Sequence, residues 1–218
     1  AADQGEAQAQ CSLGCMYHNG EGVAQDYSVA MKWYRMAADQ GFAQAQYNLG
    51  FLYFDDHGVP QDYLAAVKWF RMAADQGLAD AQCNLGVMYK NGYGVVQDYS
   101  AAVKWYKMAA DQGYAEAQYN LGDMYLDGHE VARDYSEAMK WYLKAAEQGF
   151  VDAQFNLGGM YYSGQGVAKD YSVAMKWFRM AADQGYADAQ YNLGGMYYCG
   201  QGVAQDYSAA MKWFRMAA

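Results

Sequence analysis

Tryptophan recurs in this sequence every 36 residues, and this regularity constrains the fold more than any other feature. The six copies keep one spacing, and an Asp-Tyr pair precedes each of them: Trp33, Trp69, Trp105, Trp141, Trp177 and Trp213. A fixed period of this length indicates stacked copies of one small unit, each burying its apolar face against its neighbours. The sequence therefore predicts a single repeat array over residues 1–218, with repeats at about 5–40, 41–76, 77–112, 113–148, 149–184 and 185–218.

Within one repeat, apolar residues recur at three- and four-residue steps along two segments joined by a glycine-containing loop. In the copy that begins at Gly149, the first segment (helix A) covers about 151–162 and carries Leu157 and Met160 on its apolar face. The second segment (helix B) follows Asp170, whose carboxylate is expected to cap the free amides of the first turn. The apolar stripe of helix B is predicted to be buried and consists of Tyr171, Ala174, Met175, Phe178, Ala181 and Ala182.

A glycine is kept in the middle of every helix A, where it costs roughly 1 kcal/mol relative to alanine. The six glycines occupy one position of the repeat: Gly14, Gly50, Gly86, Gly122, Gly158 and Gly194. We expect helix B to approach so closely at this point that a β-carbon would clash.

The repeated text resembles the Sel1-like repeat, a relative of the tetratricopeptide repeat. The resemblance covers essentially the whole chain and is carried by Ala-x-Ala-Gln-Tyr-Asn-Leu-Gly-x-Met-Tyr, then Gly-x-Gly-Val, then Asp-Tyr-x-x-Ala-x-Lys-Trp. It implies an all-α fold, a right-handed α/α superhelical solenoid of six 36-residue helix-turn-helix repeats with helix A on the concave side. It also implies non-enzymatic work as an adaptor or scaffold, as is common in bacteria. Two loops depart from the pattern, at Asp56-His57-Gly58 and Gly128-His129-Glu130.

The composition disfavours two classes of partner. The net charge is −9, with 15 Lys and Arg, whereas a nucleic-acid-binding surface needs a basic stripe. No run approaches the roughly 20 apolar residues of a membrane span. Both ends of the sequence fall inside the repeat pattern, so we expect a piece of a longer protein, and the localisation stays undetermined.

Helix-A residues that change between copies are the candidates for a ligand surface, because packing explains those that stay fixed. By resemblance to tetratricopeptide folds they face the concave groove, together with a row of asparagines. The predicted protein- or peptide-binding groove comprises Phe51, Phe54, Asn84, Val87, Lys90, Asn120, Asp123, Leu126, Asp127, Asn156, Gly159, Tyr162, Asn192, Gly195 and Tyr198. The alternative is that these residues are simply exposed to solvent and have no binding role.

Three kinds of groove residue suggest a ligand. Glycines 159 and 195 lie one turn before Tyr162 and Tyr198, which predicts shallow pockets with aromatic walls. Phe51, Phe54 and Val87 are expected to add an apolar floor, and Asp123 and Asp127 to add negative charge. The predicted partner is a segment with apolar anchors beside Lys or Arg. The other interpretation is a spacer or self-assembling array without a groove ligand, since the two ends of the array are in phase for head-to-tail association.

No catalytic constellation appears in the sequence, so we predict a chain that is not an enzyme and needs no cofactor. Cys11, Cys15 and His18 lie at i, i+4 and i+7 on one helix and could supply three ligands to a soft metal. A fourth ligand is not apparent, and small buried or groove-lining thiols are the favoured interpretation.

Overall fold

The computed structural model describes residues 2–56, 58–128 and 132–218, with side chains from residue 5 onward. Within those residues it contains helices and loops and no strand. The predicted loop departures at His57, His129 and Glu130 lie outside the described residues. Odd-numbered helices are the predicted helices A and even-numbered helices the predicted helices B: α1 Ala2–Asn19, α2 Tyr27–Asp39, α3 Ala43–Phe54, α4 Tyr63–Asp75, α5 Ala79–Asn91, α6 Tyr99–Asp111, α7 Ala115–Asp127, α8 Tyr135–Glu147, α9 Val151–Ser163, α10 Tyr171–Asp183, α11 Ala187–Cys199 and α12 Tyr207–Ala217.

The helices form two compact units, one up to Gln112 with α1–α6 and one from Gly113 with α7–α12. Within each unit every helix packs against the helices before and after it in the chain. This is the arrangement of a repeat solenoid, in which each pair of helices is covered by its sequence neighbours. No helix among the described residues has both the length and the hydrophobicity needed to cross a bilayer.

Each helix B begins at the predicted aspartate. Asp170 lies in extended conformation and its carboxylate accepts a hydrogen bond from the amide of Val173, and the five equivalent aspartates cap their helices in the same way. The side chain of an N-cap residue satisfies an amide that the first helical turn leaves without a partner. The starts of the six helices B therefore follow from one repeated aspartate.

The mid-helix glycines confirm the predicted close approach. A β-carbon built on Gly158 would lie 2.5 Å from a ring atom of Phe178, and one on Gly122 would lie 2.6 Å from the ring of Tyr142. Phe178 is 2% exposed and Tyr142 fully buried, so neither ring has free space to move into. The group that requires glycine is thus an aromatic ring of helix B, and the ring lies directly on the backbone of helix A.

Buried glutamines of α3, α5 and α9 join consecutive repeats. In α3, Gln46 is 1% exposed, donates to the carbonyl of Ala38 at the end of α2 and accepts from the amide of Gln76. The same two bonds recur around Gln154, with distances of 3.1 Å to Ala146 and 2.8 Å from Gln184. The last turn of a helix leaves carbonyls without intrahelical partners, and these glutamines satisfy one of them inside the core.

Candidate functional site

The residues predicted to line the groove lie on α3, α5, α7, α9 and α11. Asp127, Tyr162 and Tyr198 are exposed and the remainder are half-buried. The structure brings four of them together in one pocket, namely Gly159, Tyr162, Asn192 and Gly195. The other predicted residues lie outside this pocket.

The pocket lies between α9 and α11 and has a volume of about 260 Å³. Its wall includes the exposed rings of Tyr162 and Tyr191, with exposed fractions of 37% and 64%. We call it the α9–α11 pocket; its lining is Gly159, Tyr162, Phe178, Tyr191, Asn192, Gly195, Met196, Cys199 and Gln201. Aromatic and apolar walls with a few polar groups are typical of surfaces that hold an apolar side chain.

The two glycines border open space in this pocket. A β-carbon added to Gly159 or to Gly195 would meet no atom within 4 Å, in contrast to the neighbouring Gly158. Helix interiors disfavour glycine, so these residues carry a local cost that close packing does not explain. They leave the backbone of both helices accessible from the pocket.

Packing on one side holds the ring of Tyr162 in position. Its centroid lies 5.2 Å from that of Tyr171 and 6.4 Å from that of Phe178, and its hydroxyl donates to the side-chain oxygen of Gln201 at 3.0 Å. A ring that is fixed along one face and by its hydroxyl loses little conformational freedom when a ligand covers the other face. The wall of the pocket is thus largely preformed.

A pocket of similar size lies four repeats earlier, between α1 and α3. Its volume is about 250 Å³ and it is lined by Cys15, His18, Asn19, Tyr34, Tyr47, Asn48 and Phe51. These positions correspond to those of the α9–α11 pocket, but here Phe51 stands where Gly195 stands and Cys15 where Gly159 stands. The same register of the repeat therefore forms a pocket in both units, with different side chains at the two glycine positions.

The thiols of α1 are hydrogen-bonded within this first pocket. The amide of Asn48 lies 3.7 Å from the sulfurs of both Cys11 and Cys15, and the hydroxyl of Tyr34 donates to Cys15. Burial, followed by the neighbouring Cys15, raises the pKa of the Cys11 thiol to about 12. The thiolate is the form that binds metals, and metal binding releases the thiol proton, so a raised pKa makes metal binding at Cys11 less favourable. Among the described residues no group of three or more metal-binding side chains has the geometry to hold an ion.

Phe51 and Phe54, predicted as an apolar floor, pack against the core formed by α4 and α5. The ring of Phe54 lies 5.7 Å from Tyr63, 6.4 Å from Phe70 and 6.1 Å from Tyr93. Phe54 makes the same two helix-B ring contacts as Tyr162, and a third ring, Tyr93, stands where Gln201 stands beside Tyr162. Val87 is half-buried on the next helix A.

The two acidic groove residues differ in their surroundings. The hydroxyl of Tyr142 donates to the Asp123 carboxylate at 2.6 Å, whereas Asp127 is exposed at the end of α7. Burial and then the Asp123 carboxylate raise the pKa of Tyr142, and the same two causes raise the pKa of Tyr119. Asp123 thus belongs to a partly buried network with two tyrosines, and Asp127 presents its charge to solvent.

The remaining predicted residues line neither the α9–α11 pocket nor the α1–α3 pocket. Tyr198 lines a separate apolar cavity beside α12 and not the α9–α11 pocket, and the amide of Asn84 lies 3.5 Å from the hydroxyl of Tyr47. Leu126 packs against the core of the second unit. The other members are half-buried on their helices: Lys90, Asn120 and Asn156.

Sequence reasoning missed Tyr191, Met196 and Gln201 as pocket residues. Tyr191 occupies a position that holds tyrosine, phenylalanine or cysteine in the other repeats, and it forms part of the repeated pattern Ala-x-Ala-Gln-Tyr-Asn. Gln201 lies in the loop after α11 and reaches the pocket only because the loop passes beside Tyr162. The one available signal was the pairing of Gly159 with Gly195 on consecutive helices A.

Comparison with known proteins agrees with the architecture. The Sel1 repeat family model matches six segments of the chain, at 7–42, 43–78, 79–114, 115–150, 151–186 and 187–218. The chain belongs to the Sel1 repeat family. The matched segments of this Sel1 protein begin two residues after the boundaries that we placed from the sequence. Sel1 repeat proteins are in general non-enzymatic protein-interaction modules.

Two solved bacterial structures are similar over 99% of the Sel1 array. One is a protective antigen of uropathogenic Escherichia coli strains with an SLR fold, at 45% identity and a TM-score of 0.94, and this chain spans 46% of its length. The other is a Sel1 repeat protein from Oxalobacter formigenes, at 34% identity and a TM-score of 0.88, of which the chain covers 86%. A comparison with functionally curated proteins gives no significant match.

Proposed function

We propose that this Sel1 array binds a segment of another protein along its helices A, and that an apolar side chain of the partner enters the α9–α11 pocket. The observation that carries the proposal is the pair of glycines, Gly159 and Gly195, which border an open pocket beside the fixed ring of Tyr162. A large exposed tyrosine, Tyr191, borders the same space. Exposed apolar groups around a preformed cavity are typical of interaction sites.

Apolar burial is expected to supply most of the affinity. Burying one Leu-, Met- or Phe-sized anchor contributes about 1.5–3 kcal/mol. An exposed ion pair with Asp127 contributes about 1 kcal/mol or less and weakens with salt. The net charge of −9 favours partners with Lys or Arg near the anchor and increases their rate of encounter. Charge thus selects and orients the partner, and the pocket holds it.

A selection with random peptides tests this proposal. Dodecapeptides displayed on phage are selected against the chain, and the dissociation constants of enriched peptides are measured by calorimetry. Gly195→Leu places an apolar side chain in the pocket, where its β-carbon meets nothing within 4 Å. We expect Gly195→Leu to weaken binding at least tenfold, which corresponds to about 1.4 kcal/mol.

Met180→Leu is the control, because Met180 is 44% exposed on α10, a helix B, and the change is made away from the helices A. It is expected to leave the dissociation constants unchanged. Equal binding by Gly195→Leu would contradict the proposal, as would weakening by changes at Lys32 or Lys68, which are exposed on helices B. Failure of any peptide to enrich would favour the spacer interpretation.

A further inference from the structure

Three apolar side chains of the first unit are exposed at positions where the other repeats carry polar or different residues. Leu64 is 72% exposed, Val96 is 88% exposed and Tyr93 is 37% exposed. The other five copies have serine at the position of Leu64, alanine or proline at that of Val96, and glutamate, glutamine or histidine at that of Tyr93. The repeat pattern therefore does not require these three residues for packing. We call them the Leu64 patch.

The loop after α5 carries two members of the Leu64 patch and lies directly on the first turn of α4, which carries the third. A β-carbon built on Gly94 would lie 2.5 Å from the carbonyl of Tyr63 and 3.0 Å from the amide nitrogen of Leu64. Val96 follows two residues later, and a two-residue step spans at most about 7 Å. The three side chains therefore belong to one stretch of surface, inside the array and not at either end of it.

The ring of Tyr93 gives the Leu64 patch a fixed aromatic platform. It stacks on the ring of Tyr63, with the centroids 4.9 Å apart and the planes at 16°, and its centroid lies 6.1 Å from that of Phe54. The protein thus occupies one face of the ring, and the remainder is exposed. A ring that is already held in this way loses little conformational freedom when a ligand covers it.

Acidic side chains border the Leu64 patch on both of its segments. Asp62 precedes Leu64 by two residues and Asp98 follows Val96 by two, and both aspartates are exposed. Each carboxylate caps the helix that follows it, which fixes its position beside the patch. Lys68 lies one turn after Leu64, and its ammonium is 5.5 Å from the centroid of a tryptophan ring. Apolar surface bordered by carboxylates complements a ligand with an apolar group beside a positive charge.

We propose that the Leu64 patch is a second docking surface, which binds a short segment of another protein with an apolar side chain next to Lys or Arg. Its size favours a short segment over a second copy of the chain, since a stable interface takes about 20–30 residues from each partner. The carboxylates disfavour an anionic lipid surface. The patch lies in the first unit and shares no residue with the α9–α11 pocket, so the two surfaces are tested separately.

Selection of phage-displayed dodecapeptides tests the patch with the α9–α11 pocket blocked. The first bait carries Gly195→Leu, and the second also carries Leu64→Ser and Val96→Ala, which are the residues that other repeats have at these positions. Peptides that enrich on the first bait and not on the second should contain an apolar residue adjacent to Lys or Arg. Their dissociation constants, measured by calorimetry, should be at least tenfold higher for the second bait. Peptides of the α9–α11 pocket form a separate set, which Gly195→Leu removes.

The role of charge is tested at the two helix caps. Asp62→Asn with Asp98→Asn removes both charges and keeps the caps, because asparagine caps a helix about as well as aspartate does. The selected peptides should then bind about threefold more weakly at low salt, and their affinity should depend less on salt. Asp134→Asn with Asp170→Asn changes the net charge equally at the caps of α8 and α10 and should leave binding unchanged.

Leu143→Ser is the control for the apolar changes, because Leu143 is 40% exposed on α8, and it should leave the dissociation constants unchanged. Enrichment of no peptide on the first bait over the second would overturn the proposal, as would selected peptides without a cationic residue. A sedimentation coefficient that rises with protein concentration, and no longer rises with Leu64→Ser and Val96→Ala, would also overturn it. That result would show that a second copy of the chain covers the patch.

Discussion

At the residue scale, two neighbouring glycines of one helix are present for opposite reasons: one lies in close packing and the other borders open space. Gly158 and Gly159 are consecutive in α9, yet a β-carbon meets the ring of Phe178 at 2.5 Å on the first and open space on the second. The sequence predicted the first reason, because the glycine recurs in every repeat. It indicated the second only through the variability of the position, since other repeats carry cysteine, phenylalanine, valine or aspartate there.

This contrast predicts stability changes of opposite sign. Gly159→Ala should raise the free energy of unfolding by up to about 1 kcal/mol, because alanine is the better helix former and its methyl group has space. Gly158→Ala should lower it by about 1–3 kcal/mol, because the buried Phe178 ring has to shift. Urea unfolding followed by circular dichroism measures both, and stabilisation by Gly158→Ala would show that the ring moves freely.

At the element scale, the helices follow from the sequence more fully than the joints between them. The aspartate before each helix B and the apolar periodicity predicted helix starts and buried faces, because caps and amphipathic faces are local properties. The buried glutamines were not predicted as joints. Gln46 bonds to Ala38 eight residues earlier and to Gln76 thirty residues later, and no local pattern shows such contacts.

Two glutamines of α3 provide a matched test of the joint. Gln46→Met removes a buried donor to Ala38 and a buried acceptor for Gln76, so the free energy of unfolding should fall by about 1–3 kcal/mol. Gln44→Met, two residues earlier, changes an exposed glutamine that bonds only within its helix, to Asn48, and should change it by less than about 0.5 kcal/mol. Equal effects of the two changes in thermal or urea unfolding would contradict a structural role for the buried pair.

At the scale of the whole molecule, the 36-residue period predicted an array of six helix pairs, and the family and the structure agree with it. The period could not predict where the array has an open pocket. That depends on side chains that vary between repeats, such as Tyr93, which packs against Phe54, and Gly195, which borders open space. Tyr198 also shows what the period cannot predict. It holds the same repeat position as Tyr162 but borders a different cavity.

Methyl NMR of the methionines tests the proposed site most directly. Met196 lines the α9–α11 pocket, whereas Met88, which holds the same repeat position on α5, lies outside it. When a peptide enriched in the selection is added to protein labelled with ¹³C at the methionine methyl groups, we expect the Met196 resonance to shift with the peptide's dissociation constant. Met88 and the exposed Met180 should stay in place. Shifts confined to Met180 and other methionines of helices B, with Met196 unmoved, would show that the partner binds the opposite surface.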